Sequence, residues 1–486
     1  MANCCPLLTR KINVLGRNEV NPGTAETLAA DPDGKIRVYA GAQPEYAAPR
    51  EKRDIARASL TPLGSLESTK AVNQTFRTEA NTRDTIENIA DMDIDSILFQ
   101  SAIDCGAGAI IRIAFNGTPD LSAILPGYYL DVNYASNSSN VGSFQIVTVN
   151  DGSDYVDIVN RFRTDNADDE ASDSPAIGDI QNPLEFQWAL NSCLAKVRGI
   201  SRIAVGSIAG GPYQRNETIT GGTSSATARI IVPAEDGDGY LYFEPLTGKL
   251  QSGEVLTGGT SGATATSSSG PGVHGHFVKP ISGDDCSAEV STIDFQNDGF
   301  HWEARSSMAN MTFEAAANKA MFFDFAFQGP KEDIGDRAMD TVTRDEEDPP
   351  IVKTAELKLD TFEPVFAQIN FDMGNVIAMR ENGNASDDSG FEGARVTDRE
   401  SKVTINLEHE LASVFDFFDK LDTGTKVALQ MHAGTVLEKQ VWFFADRLEF
   451  DALPVGDKDG IRMLDLEATC TGAANGSNDD WEFALI

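Results

Sequence analysis

Hydrophobic positions along this chain alternate with polar ones far more often than they recur at helical spacing. Alternation sends successive side chains to opposite faces of a strand. Thr75-Phe76-Arg77-Thr78-Glu79 puts Phe76 and Thr78 on one face, and Thr404-Ile405-Asn406-Leu407-Glu408 repeats the arrangement. Asp31-Pro32-Asp33-Gly34 predicts a turn into a strand over 35–39. Further strands are predicted at 110–115, 128–134, 143–149 and 155–159, parted by Gly127, Gly142 and Asp151-Gly152. Four such strands in one compact stretch predict a small barrel or sandwich. Three stretches read as helix. Residues 94–103 place Ile94, Ile97 and Leu98 on one face and end at Asp104-Cys105-Gly106. Residues 412–421 carry a stripe of Val414, Phe415 and Phe418 and end at Asp422-Thr423-Gly424. Residues 183–198 form the third helical stretch.

The order strand, short helix, strand therefore occurs twice. Asp298-Gly299 opens an alternating stretch that ends at Gly329, and Asp459-Gly460 opens another that ends at Gly472. A repeated order points to an internal duplication. On this reading, 1–106 and 290–335 form the first copy with an N-terminal arm, and 351–486 the second. Between the copies, 336–350 is an acidic linker, where Asp345-Glu346-Glu347-Asp348 repel one another and Pro349-Pro350 forbid helix. The first copy is split by about 180 residues: a β domain over 107–200 and a Gly/Thr-rich module over 201–289. The module holds a local repeat. Glu217-Thr218-Ile219-Thr220-Gly221-Gly222-Thr223-Ser224 recurs as Glu254-Val255-Leu256-Thr257-Gly258-Gly259-Thr260-Ser261. Gly221, Gly222 and Thr223, with Gly258, Gly259 and Thr260, are its marker residues, read as tight β turns. Residues 267–275, rich in Ser, Gly and Pro, read as a linker that exposes His274 and His276. The expected fold class is mainly β, with two sandwich-type domains, each with a short flanking helix, plus inserted β domains.

Composition narrows the function. With 486 residues and 41% hydrophobic positions, the chain can build several cores. Its formal net charge is -36, so nucleic acid and anionic membranes are repelled in general. The Cys residues at 4, 5, 105, 193, 286 and 470 form no CxxC pair and stand near no histidine at metal-ligand spacing, which fits a reducing cytoplasm. No signal peptide or apolar run of membrane-spanning length is read. GGTSSA and GGTSGA lack the GK[ST] ending of a phosphate loop. No nucleophile–His–acid set stands out, and His-x-His at 274–276 lacks a third ligand. The reading is therefore a structural protein, with no catalytic, cofactor-binding or metal residue. The basic cluster of Arg50, Lys52, Arg53 and Arg57 is no DNA-recognition element.

Several phrases, taken in order, resemble the tail tube (major tail) protein of long, non-contractile-tailed bacteriophages. They are Gly16-Arg17-Asn18-Glu19-Val20 with Pro22-Gly23-Thr24; residues 71–79; residues 298–329; FEPVFAQINFDMG at 362–374, resembling an opening strand; residues 396–408 and 442–472; and Asn478-Asp479-Asp480-Trp481-Glu482-Phe483, resembling an acidic turn before a final edge strand. The resemblance covers about 1–106 and 290–486.

That family implies a virion structural role. Domains of neighbouring chains join their inner sheets into a barrel around a channel, rings stack into a helical or stacked tube, and double-stranded DNA passes through the lumen without specific binding. With two domains per chain, three chains close a pseudo-sixfold ring, whereas six chains would do so with one domain each at the lumen. The resemblance also implies tail terminator, tape measure and distal tail proteins as partners, synthesis in the host cytoplasm, residence in the virion tail, and no membrane insertion. Candidate lumen-facing residues are Arg77, Glu79, Asn406 and Glu408. Loop 80–93 and the arm 20–55 would reach between rings, and the insertion would decorate the outside. Competing readings are a capsid decoration or fibre protein, a surface adhesin and a β-helical hydrolase.

Overall fold

The computed structural model describes residues 11–29, 34, 36–39, 41–51, 65–67, 69–80, 92–103, 108–116, 119–122, 124–135, 140, 142–161, 165–170, 176–181, 186–232, 239–282, 289–342, 349–353, 355–384, 387–434, 440–474 and 478–486. The turn at Asp31–Asp33, the loop at 81–91, Lys52, Arg53, Arg57 and the acidic run 345–348 lie outside the described residues.

The molecule is mainly β, with two short α-helices among the described residues. In chain order, β1 (Ile12–Asn18), β2 (Gln43–Ala47), β3 (Arg50–Glu51), β4 (Leu66–Glu67) and β5 (Ala71–Glu79) come first. Then follow β6 (Met92–Ala102), β7 (Ala109–Phe115), β8 (Tyr129–Tyr134), β9 (Gly142–Asn150), β10 (Tyr155–Asn160) and β11 (Ala176–Gln181). After α1 (Gln187–Ser192) come β12 (Ala195–Ala204), β13 (Thr218–Gly221), β14 (Thr227–Val232), β15 (Tyr240–Thr247), β16 (Val255–Gly258), β17 (Thr264–Thr266) and β18 (Gly272–Pro280). Next are β19 (Ser291–Asn297), β20 (Phe300–Ala316), β21 (Phe322–Asp336), β22 (Glu356–Leu359), β23 (Phe366–Asp372), β24 (Asn375–Glu381), β25 (Phe391–Arg399) and β26 (Lys402–Glu408). The chain ends with α2 (Phe417–Thr423), β27 (Val427–Ala433), β28 (Val441–Ala452), β29 (Val455–Lys458), β30 (Ile461–Cys470) and β31 (Glu482–Leu485).

One antiparallel pairing path occurs twice. It runs β1–β19–β20–β21–β5–β2 in the first half. In the second it runs β22–β27–β28–β30–β26–β23. A hairpin interrupts each path at the same place, β3–β4 between β2 and β5, and β24–β25 between β23 and β26. A helix precedes the second hairpin in both, α1 before β19 and α2 before β27. The halves are joined where the C-terminal part of β20 pairs with β23, Phe313 opposite Phe371. They share one aromatic core, with Phe313 5.1 Å from both Phe323 and Phe483, and Phe371 5.0 Å from Phe443.

Several sequence expectations change. The stretch 94–103 is not a helix but β6, part of a closed barrel ordered β10-β7-β6-β11-β8-β9. Its pairing with β7 shifts register between Ile94 and Ser96 and again between Phe99 and Ser101. Each bulge slips the two-residue alternation by one, and together they imitate a spacing of three and four. The helix of the first half is instead α1, and only six of the residues 183–198 adopt it. The barrel therefore begins at β6, and β12 opens the Gly/Thr module before 201, so both insertions start earlier than the sequence suggested. No strand forms over the described residues 36–39. The second helix begins at Phe417 and not at 412, and its expected stripe splits: Phe415 is buried, whereas Val414 is 57% and Phe418 45% exposed. Asp416 caps α2 by accepting from the Asp419 N–H, and Gly424 closes it with φ of 63°.

Residues 272–280 are a strand, β18, and not linker; it carries His276, which is buried. The opening strand of the second half is β22, which precedes 362–374. The last strand, β31, is no edge, because it pairs with β18 on one side and β28 on the other. Asp298-Gly299 and Asp459-Gly460 are both two-residue turns with positive φ, 43° and 103°, and 56° and 86°. They are not equivalent, since the first joins β19 to β20 and the second β29 to β30.

Candidate functional site

β5, β21, β20, β23, β26 and β30 lie side by side as one antiparallel sheet crossing both halves. Alternation gives it one apolar face and one polar face. Phe76, Phe325, Met311, Phe313, Phe371, Val403, Ile405 and Leu466 are buried. The polar face carries a continuous rung, Arg77 opposite Asp324, Asp324 opposite Thr312, Thr312 opposite Asp372, Asp372 opposite Lys402 and Lys402 opposite Thr469. A second rung aligns Glu79, Phe322, Glu314, Asn370, Thr404 and Glu467. All four residues named as lumen candidates alternate with buried neighbours and stand on this polar side.

Acids outnumber bases on this face, and its few cations are committed. The Arg77 guanidinium donates twice to Asp324, both bonds 2.7 Å, and once to Glu314 at 3.0 Å. It also sits 5.0 Å from the Phe322 ring centre. Glu79 accepts from the Tyr39 hydroxyl and lies 3.6 Å from Arg37. Asn406 donates to Asp465. The Glu408 N–H donates to the Val365 carbonyl at 2.9 Å. A cavity of about 510 Å³ opens on the face between Tyr39, Thr75, Arg77, Asn310, Thr312 and Asp324.

Glu19, within one of the phrases that carry the family resemblance, is a buried hub. Its carboxylate accepts from the Ser306 N–H at 2.5 Å, the Ser306 hydroxyl at 3.0 Å, the Thr292 hydroxyl at 3.0 Å and the Gly23 N–H at 2.9 Å. Burial pushes its pKa up despite these bonds. Ser306 has φ of 43° inside the register shift of β20, so Glu19 holds the backbone where that long strand bends.

The Gly/Thr repeat folds about a local pseudo-twofold. β13 pairs with β16, Thr220 opposite Thr257. Each repeat's leading glutamate caps the other repeat's turn. Glu254 accepts from the N–H groups of Thr223 (3.1 Å), Ser224 (2.9 Å) and Gln251 (2.6 Å) and from the Ser224 hydroxyl. Glu217 accepts from Thr260 (3.2 Å), Ser261 (3.0 Å) and Gln214 (2.5 Å), and from the Ser261 hydroxyl. A Cβ on Gly221 would stand 2.5 Å from the Glu254 carboxylate, and one on Gly258 2.7 Å from that of Glu217. The Gly222 and Gly259 N–H groups donate to the carbonyls of Val255 and Thr218. The repeated phrase is thus architecture. The glutamate opening both copies was the legible signal of the exchange.

Two further charged clusters gave no sequence signal. Where the module meets β31, Glu482 accepts from Arg215 and Arg229, each at 2.7 Å, and Arg229 also reaches Glu244. Elsewhere Asp294, His301 and Glu303 converge closely enough to offer a metal three ligands. Arg337 already supplies the cation there, 3.2 Å from Asp294 and 3.6 Å from Glu303, and His301 bridges Asp294 and Asp333. Burial first, and then Asp294, push the Glu303 carboxyl up to about 7. A raised carboxyl binds its proton more tightly folded than unfolded, so stability falls as pH rises from about 4.5 to 7. Glu303→Gln is expected to flatten that slope, read as the melting temperature from pH 5 to 8.

No protein-family model matches the sequence, and no curated protein is significantly similar to it. Among the described residues no helix is long and apolar enough to cross a membrane.

Proposed function

We propose that this chain is a structural subunit of a phage-type tail tube, assembling as trimeric rings whose polar sheet faces line a channel for DNA. The observation that carries the reading is the recurrence of one pairing path, with both copies fused into a single sheet whose exposed face is largely polar. A sheet apolar on one side and acidic on the other suits a wall between a protein core and a polyanion. Glu79, Glu314, Asp324, Asp372, Asp465 and Glu467 outnumber Arg77 and Lys402 on it. Such a surface repels phosphates, so DNA slides without sticking. Two sheet units per chain make three chains sufficient for a six-unit ring, while the barrel and the Gly/Thr module decorate its outside. Tail terminator, tape measure and distal tail proteins are the partners this role requires.

Electron microscopy of the purified protein tests the reading. Stacked rings with an open channel and three chains each are the expected result. Six chains per ring would overturn the stoichiometry, and dispersed globules the tube. A second check concerns charge. Asp372→Lys/Glu467→Lys assemblies should retain double-stranded DNA at about 50 mM salt and release it near 200 mM, whereas the unaltered protein retains none at either.

A further inference from the structure

The internal joint between the two halves also specifies how one chain meets the next. The repeated path lets every strand position in one half be matched to the other. The pairing of β19 with β20 ends at Ser291 opposite Ser307, and that of β27 with β28 at Val427 opposite Leu448. From there Met308 opposite Gln328 matches Glu449 opposite Thr469. A bulge between Phe450 and Ala452 follows, after which Phe313 opposite Phe323 matches Val455 opposite Leu464. Thus β29 stands where the end of β20 stands. On the other side, Asn73 opposite Gln328 matches Lys402 opposite Thr469. Gln43 opposite Thr75 therefore matches Asn370 opposite Thr404, and β2 stands where β23 stands.

In the first half the end of β20 is covered, because β23 pairs with it over 312–316. Its counterpart β29 pairs only with β30 among the described residues, and all four of its residues are exposed. β23 is covered on both sides, whereas its counterpart β2 pairs only with β5 among the described residues. Each chain thus ends in one open copy of either half of a joint it already makes internally. Unpaired strand edges of complementary register are templates for pairing. A head-to-tail contact of this kind closes into a ring when its rotation divides a full turn.

We propose that β29 of one chain pairs antiparallel with β2 of a second copy, Val455 opposite Pro44 and Gly456 opposite Gln43, repeating the joint that sets Phe313 opposite Phe371 and Glu314 opposite Asn370. The backbone is phased for it. The Pro454 carbonyl accepts from the Asp465 N–H at 2.9 Å, so alternation turns the Val455 N–H and carbonyl to the open side. In the internal joint the Met373 N–H donates to the Met311 carbonyl at 3.0 Å, which phases Phe371, and by correspondence Pro44, toward the seam. Pro44 accepts there but donates nothing, as suits an edge strand. The Ala42 N–H turns back to the Tyr39 carbonyl, so the part of β29 that enters the seam is Val455 and Gly456, opposite Pro44 and Gln43. It is shorter than the internal joint, where five residues of β20 pair with β23, and this leaves the chain free before assembly.

The inference rests on the tube reading for ring closure, and the test separates the two. Gln43 and Gly456 are exposed and would form a non-hydrogen-bonded pair, whose short Cα separation suits a disulfide. The Gln43→Cys/Gly456→Cys protein, oxidised in its assembled form, should give a closed covalent trimer on non-reducing gels, with each single variant as control. Rings in the microscope without cross-linking above the controls would overturn the seam and leave the tube standing. Covalent dimers or open chains without rings would uphold the seam and overturn the tube. Neither rings nor cross-links would overturn both. Val455→Pro gives a second reading, since it removes the seam N–H at an exposed position. Assembly should fall at least tenfold with the monomer's melting unchanged, and unchanged assembly would count against the seam.

Discussion

Glu482→Ala is expected to cost about 3–5 kcal/mol, because it leaves buried cations without their counter-charge. Glu482 is buried and receives both Arg215 and Arg229 at 2.7 Å. Burial alone works against its charge, and the two guanidinium groups outweigh it, holding its pKa below the usual carboxylate range. Arg215 is packed 3.9 Å from the Phe444 ring centre, and only 11% of its side chain is exposed. Removing the carboxylate strands it and frees β31, which ties the Gly/Thr module through β18 to the second half through β28. The measurement is hydrogen exchange of β14, β18 and β31, whose protection should drop together, while β7 and β10 in the barrel keep theirs. Asp446→Asn, at the exposed rim of the cluster, should cost under about 1 kcal/mol.

The second large effect concerns the exchanged glutamates. Glu254→Ala should destabilise the module by about 2–4 kcal/mol, since it leaves the Thr223, Ser224 and Gln251 N–H groups without their charged acceptor. Glu217→Ala should cost a similar amount, because Thr260, Ser261 and Gln214 depend on it in the same way. For both glutamates burial raises the pKa, and the hydrogen bonds together more than reverse it, so the net shift is downward. Their contribution is therefore full above about pH 4.5 and is lost as pH falls through the lowered folded value. Acid titration of module unfolding, followed by exchange at β13 and β16, should show a loss below pH 4.5 that either alanine variant reduces. Gly221→Ala should also destabilise, because its Cβ would collide with the carboxylate that caps the turn.

How much of this was legible depends on the range of the forces involved. Alternation along 75–79 and 404–408 is local, and it correctly set Phe76 and Ile405 inward and Arg77 and Asn406 outward. The strands of 110–159 were equally plain, since each carries its own period and turn residues. Asp298-Gly299 and Asp459-Gly460 mark the starts of alternating stretches because both residues accept the positive φ of a two-residue turn. Where sequence reading failed, a partner strand or a distant side chain had decided the matter. β6 looked helical because bulges imposed by β7 broke its period. The exposed Val414 and Phe418 looked like a buried stripe because a stripe says nothing about whether a surface stands opposite it.

The sequence by itself determined a mainly β chain, its local repeat, its turns and the inward and outward sides of its central strands, all of which follow from the backbone period and the burial preference of neighbouring residues. Only the tertiary structure decided which strands lie next to which, that the pairing path recurs, that β20 and β23 weld its two copies into one sheet, and that β2 and β29 are left open among the described residues. Those outcomes depend on hydrogen bonds and packing between residues far apart in the chain, and no local period encodes them.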